Sequence, residues 1–144
     1  MKYLLPFLLL ALLTPLCNAQ NKESYPPHPD SLKKAGVPEG SVKGPFTFHS
    51  DIFPGTERDY WLYVPAQYDA SKATCLMVTQ DGIGLAKRWN LPTVFDNLIH
   101  EGAMPATLGL FVSPGLVPAL NKQTMERRNR SFEYDSLGDR YARF

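Results

Sequence analysis

Apolar and polar side chains alternate in Phe46-Thr47-Phe48-His49, the period of a half-buried strand. The polar stretch that follows carries Pro54-Gly55, a turn dipeptide. After it, residues 59–64 (DYWLYV) are dense in aromatic and β-branched side chains, which predicts a second strand. The two read as an antiparallel hairpin whose loop is too long for a tight two-residue turn. Cys75-Leu76-Met77-Val78 is continuously apolar instead, which predicts a strand covered on both faces. Asp81-Gly82 ends that run. In residues 91–102 (LPTVFDNLIHEG), Phe95, Leu98 and Ile99 share a helical face, Pro92 suits the first turn and Gly102 the C-terminal cap. Residues 107–113 (TLGLFVS) form another apolar strand, closed by Pro114-Gly115. Strand, helix, strand in that order implies a parallel pair with a right-handed crossover. The fold class expected is α/β: a mixed, mostly parallel sheet that opens with an antiparallel hairpin and has helices on its faces.

The two ends of the chain read differently. Residues 20–45 hold five prolines and three glycines, which argues for an extended leader rather than a packed element. At the other end, Ser136 and Asp139 have capping-box spacing, and Leu137, Tyr141 and Phe144 fall on one stripe. This predicts a helix from about Ser136 with no stop signal before Phe144. The ordered unit, residues 46–144, is therefore expected to be the incomplete N-terminal part of a larger domain.

The opening stretch, MKYLLPFLLLALLTPLCNAQ, has one charge at Lys2 and an apolar run from Leu4 to Leu13. It predicts a signal peptide over residues 1–19, cleaved after Ala19, and a secreted or periplasmic product. The run is short for a membrane span, so no stable membrane anchor is expected after cleavage. A lipid anchor at Cys17 is the rival reading, and the bulky Leu16 argues against it. With a formal charge of +1 before cleavage, the chain lacks the basic excess that nucleic acid would demand. Cleavage leaves Cys75 as the sole cysteine, which rules out an internal disulfide. Its place in an apolar run predicts a buried, inert thiol.

No G-x-S-x-G motif occurs. Ser41 in GSVKG and Ser113 in VSPG lack the small residues that such an elbow requires on both sides. His28, His49 and His100 have no visible serine partner and no metal-ligand spacing. The turn QDGIG is the sharpest feature. Main-chain N–H groups just past a parallel strand can converge on an oxyanion, and glycine admits close approach. Farther on, ERRNRSFEYD crowds charges of both signs, the usual form of a solvated ion-pair face. Its arginines, Arg128 and Arg130, could hold an anionic or polyhydroxyl substrate. Asn129-Arg130-Ser131 also spells a glycosylation sequon, usable in a host that glycosylates.

Taken together, GPFTFHSDIFPGTERDYWLYVPAQYD, MVTQDG, FDNLIHEGAMP and RNRSFEYDSLGDRYARF resemble the exported esterases related to enterochelin esterase, which are similar to feruloyl and acetylxylan esterases. The likeness runs from about Tyr25 to Phe144. It implies an α/β-hydrolase fold and a serine carboxylic ester hydrolase that needs no cofactor and no metal, with a small-molecule or glycan ester as substrate. Gly82 and Ile83 inherit the oxyanion role, and Asp81 shapes their turn. Arg128, Arg130 and Glu133 fall at the substrate rim. The resemblance places the serine, histidine and acid beyond Phe144, so this chain would lack the attacking group. The alternative reading is a non-catalytic carbohydrate-binding or structural module that uses exposed aromatics of Tyr-Trp-Leu-Tyr, residues 60–63.

Overall fold

The computed structural model describes residues 25–144; the expected signal segment and its cleavage site lie outside the described residues. The strands are β1 (Ser41–His49), β2 (Glu57–Val64), β3 (Cys75–Thr79), β4 (Thr107–Val112), β5 (Leu116–Val117) and β6 (Arg127–Arg128). The helices are α1 (Gly82–Arg88), α2 (Leu91–His100), α3 (Arg130–Tyr134) and α4 (Arg140–Arg143). In the sheet, β2 lies between β1 and β4, β3 is the outer neighbour of β4, and β5 and β6 extend the path beyond β2.

The predicted hairpin forms: β1 and β2 are antiparallel, with Phe46 opposite Tyr60 and Phe48 opposite Arg58. β1 starts at Ser41, earlier than the alternation suggested, because Gly44 and Pro45 interrupt the pattern and shift the register between Lys43 and Phe46. β3 and β4 pair in parallel as expected, with the α1 and α2 segment between them. The sheet is mixed, but the other four pairings are antiparallel, so it is not mostly parallel.

One face of the sheet carries the core. Trp61 and Tyr63 on β2 and Phe111 on β4 point toward α1 and α2, where Ala86 and Phe95 complete a buried cluster. The Tyr63 and Phe95 rings meet edge to face at 5.3 Å. Gly109 on β4 makes room for this, since a side chain there would press on the Phe95 and Phe111 rings and the Tyr63 Cβ. Tyr63 also donates to the buried Asp96 carboxylate at 2.6 Å. Burial first, and the Asp96 contact second, raise its phenol well above the ordinary tyrosine range. Within residues 60–63, Tyr63 is buried and Trp61 packs against the core, whereas Tyr60 is half-buried on the opposite face, its ring 5.3 Å from that of Phe46.

The opposite face is largely open. Phe46, Phe48, Leu76 and Val78 are all about half exposed. β3 is therefore uncovered on this side, contrary to the two-sided burial its apolar run suggested. Cys75 is exposed as well, not buried. Hydropathy alone cannot say which layer, if any, covers a strand.

Between Pro29 and Gly40 the leader is tied to α2, not merely extended. Pro29–Ser31 makes a single 3-10 turn, and the buried Asn97 of α2 donates to the Asp30 and Leu32 carbonyls at 2.8 and 2.9 Å. Lys34 bridges Asp30 and Glu101, and the Gly40 N–H donates to Asp96 at 2.7 Å. These polar ties give a proline-rich segment an order that no hydrophobic period announces.

The last segment also differs from expectation. Helix α4 begins at Arg140, and its N-cap Asp139 makes no side-chain cap bond. Ser136 instead donates to the Phe132 carbonyl, so the capping box is not formed, and Leu137 is fully exposed. Tyr141 and Phe144 do pack together and against Phe53, and Phe144 also meets Phe48 on β1.

Candidate active site

At the carboxyl end of β3 the chain turns sharply. Asp81 and Gly82 both have left-handed backbone, with φ of 64° and 66°. Such a pair reverses direction quickly, and α1 starts at once from Gly82. A side chain at Gly82 would overlap Ser113 Oγ, so glycine is demanded by space as well as by φ. The first N–H groups of any helix lack intrahelical acceptors, and here they belong to Gly82, Ile83 and Gly84. The Ile83 side chain packs against the core, which leaves its main chain at the turn.

Asp81 occupies the N-cap position yet makes no side-chain cap bond. Its carboxylate is taken by Arg130, forty-nine residues away: Nε reaches Oδ1 at 2.7 Å and Nη2 reaches Oδ2 at 2.8 Å. This fork is the strong form of a guanidinium–carboxylate contact. It holds the Asp81 carboxyl below its usual range and pushes the Arg130 guanidinium still higher. The Arg130 guanidinium also lies 5.0 Å from the Tyr134 ring centroid. A groove of about 550 Å³ runs past this pair, bordered by Asp81, Arg130, Arg128, Ser113, Asp59 and Glu126. Its charges are of both signs, a lining suited to a ligand with several hydroxyl or carbonyl groups.

Thus Asp81, Arg128 and Arg130 border one groove, with Gly82 next to Asp81 at its turn. Glu133 does not join them at a rim. Its side chain is fully buried and accepts from Arg58 Nη1 at 3.0 Å, Asn129 Nδ2 at 2.9 Å and the Gly115 N–H at 3.1 Å. Arg58 in turn donates to Thr56 Oγ1, and its guanidinium stacks 4.2 Å from the centre of the Phe144 ring. A charged residue in a run of charges reads as solvated. Here an arginine on a distant strand draws it inside. The same network closes the sequon: Asn129 is buried and its amide is committed to Glu133.

The arrangement can polarise or hold an electron-rich atom near the Gly82 turn. Among the described residues it does not pair a nucleophile with a base. Ser113 lies beside Gly82 and donates its main-chain N–H to the Asp59 carbonyl, whereas His49 faces Glu57 at 3.9 Å and His28 caps the 3-10 turn. The nearness of Ser113 to Gly82 was invisible in sequence. Both follow parallel neighbours, β4 and β3, and only strand pairing brings them together.

No known protein-family profile matches the chain, and no curated protein matches it. Among solved structures it is similar to a CE1 ferulic acid esterase from the anaerobic fungus Anaeromyces mucronatus, determined in the absence of substrate. The likeness has 21% sequence identity and a TM-score of 0.49, and covers 57% of this chain. This chain matches 32% of that enzyme's length.

Proposed function

We propose that the chain contributes part of the active-site platform of an exported serine carboxylic ester hydrolase related to enterochelin esterase. One observation carries the reading: the left-handed Asp81-Gly82 turn at the carboxyl end of β3, from which α1 springs with its first N–H groups unpaired within the helix. In this reading the Gly82 and Ile83 N–H groups donate to the oxyanion that forms when a serine attacks the ester carbonyl. A histidine takes the serine proton and returns it to the leaving alcohol. Serine, histidine and acid belong to a segment beyond Phe144. Arg128 and the mixed charges of the groove hold the polar parts of the substrate.

The test has two parts. The coding sequence past Phe144 should contain G-x-S-x-G, and the longer product should hydrolyse p-nitrophenyl acetate and be silenced by a serine-directed organophosphate. In that product Ile83→Pro, which deletes one donor, should lower kcat by about a hundredfold with little change in KM. A continuation without the motif, or hydrolysis untouched by serine modification, overturns the reading. So does serine-dependent turnover by the 144-residue chain itself.

A further inference from the structure

We infer that residues 28–40 form a latched strap over α2 that shields the dibasic pair Lys33-Lys34 from trypsin-like proteolysis, with the Asn97 amide as the latch. The inference lies outside the ester-hydrolase reading and does not depend on it.

The helical period puts Asn90, Asn97 and Glu101 on one stripe at α2, turned away from Leu91, Phe95 and Ile99, which pack on the core side. An asparagine on an outward stripe is ordinarily wet. Asn97 is 1% exposed because the leader lies over it. What the stripe holds is mostly main chain. Asn97 Nδ2 donates to the carbonyls of Asp30 and Leu32, and Asn90 Nδ2 donates to that of Ser31. Glu101 takes the Lys34 ammonium at 2.6 Å, shared with Asp30 at 2.7 Å. Apolar burial adds little, since Leu32 is half exposed.

The two ends of the strap are held differently. The Gly40 N–H meets Asp96 Oδ1, which also accepts from the Tyr63 phenol of the core, so this end moves with the fold. The other end rests on the polar ties to α2. Gly36 lies between them, with a left-handed φ of 81° and open space around it, as the hinge. A segment held by few apolar contacts opens locally, without the rest of the chain. A protease takes its substrate as an extended strand and pairs with its main chain. In the closed strap three consecutive carbonyls just before Lys33 are occupied, and the Lys34 side chain is bridged. Opened, the same residues are an exposed loop carrying two adjacent lysines, a favoured site of nicking.

Limited trypsin digestion of the chain, with each cut assigned by mass spectrometry, tests this. The exposed turn at Lys122 serves as the unshielded reference, and the buried Arg58 reports global unfolding. Cutting after Lys33 and Lys34 should be slower than after Lys122. Asn97→Ala removes two hydrogen bonds and should speed it by about tenfold, as cleavage follows the open population. Cutting after Lys122 should stay unchanged, and Arg58 should stay protected. If Asn97→Ala exposes Arg58, Glu101→Ala takes its place; it frees Lys34 from the exposed side of the bridge and should give about a threefold rise. Lys33 and Lys34 cut as fast as Lys122 in the wild type, or no faster in a folded variant, overturns the inference. Loss of protection at Arg58 in both variants overturns it too, because the contacts would then hold the whole fold rather than a strap.

Discussion

Glu133 and Arg58, seventy-five residues apart in sequence, meet in a buried pair whose side chains are 0% and 1% exposed. The carboxylate is saturated by Arg58, Asn129 and the Gly115 N–H, so its burial is matched by donors. The Arg58 Nε, by contrast, is buried with no hydrogen-bond partner among the described residues. Removing one partner leaves an uncompensated interior charge, whereas removing both leaves none. Glu133→Ala should therefore cost about 3–5 kcal/mol in urea denaturation. The double variant Arg58→Met/Glu133→Leu should be more stable than Glu133→Ala. A double variant less stable than that single one would show that the pair's value lies in its attraction rather than in its mutual neutralisation.

The Tyr63 phenol donating to Asp96 makes a second prediction, with a definite pH sign. Burial and the Asp96 contact raise the folded-state value above the 10.0 of an ordinary tyrosine. The unfolded phenol then loses its proton first as pH climbs, so the unfolded state binds fewer protons and gains. Stability is fully present below about pH 10 and declines above it. Tyr63→Phe should lose about 1–2 kcal/mol near neutrality, because among the described residues Asp96 then keeps the Gly40 N–H as its one remaining donor. The same substitution should flatten the alkaline decline, measurable by urea titration between pH 8 and pH 11. An equally steep decline in the variant would assign it to another phenol, such as Tyr134.

Which parts of this architecture could be read from the residues follows from the range of the forces involved. The β1–β2 hairpin and α2 are written locally, in the period of Phe46 and Phe48 and in the Pro92 and Gly102 signals. The Asp81-Gly82 turn is equally local, because Asp-Gly favours the φ values it needs. What escaped was decided at a distance. Glu133 was drawn inside by a residue on β2, and the leader was ordered by Asn97 and Asp96 on α2. Leu76 and Val78 carry the hydropathy of an interior strand but lie on the open face. The family resemblance set Glu133 at the rim, where the structure buries it, since likeness of sequence does not report which way a side chain faces.

Gly82 offers a test of how tightly the candidate site is built. Alanine there meets two separate obstacles, a left-handed φ and the Ser113 hydroxyl. Left-handed backbone costs a residue with Cβ about 1–2 kcal/mol, and the overlap adds a comparable amount. Gly82→Ala should thus lower stability by about 2–3 kcal/mol. Adding Ser113→Ala removes the hydroxyl and should recover about half of this, leaving the backbone part. A loss that Ser113→Ala does not relieve would place the crowding on the main chain instead.

The open sheet face supplies the prediction that runs most directly against hydropathy. Leu76 and Phe111 are both large apolar strand residues, 59% and 0% exposed. Exposed positions lose little when made polar, because little apolar area leaves contact with protein. Leu76→Lys should change unfolding free energy by no more than about 0.5 kcal/mol, whereas Phe111→Ala should cost about 3–5 kcal/mol. The same lysine lies on the outer strand β3, whose far edge pairs with no strand among the described residues and whose apolar neighbours invite association between chains. Static light scattering of Leu76→Lys should show less self-association than wild type at equal concentration. If the substitution instead destabilised the chain by several kcal/mol, Leu76 would have to be covered in solution, and the face could not be open.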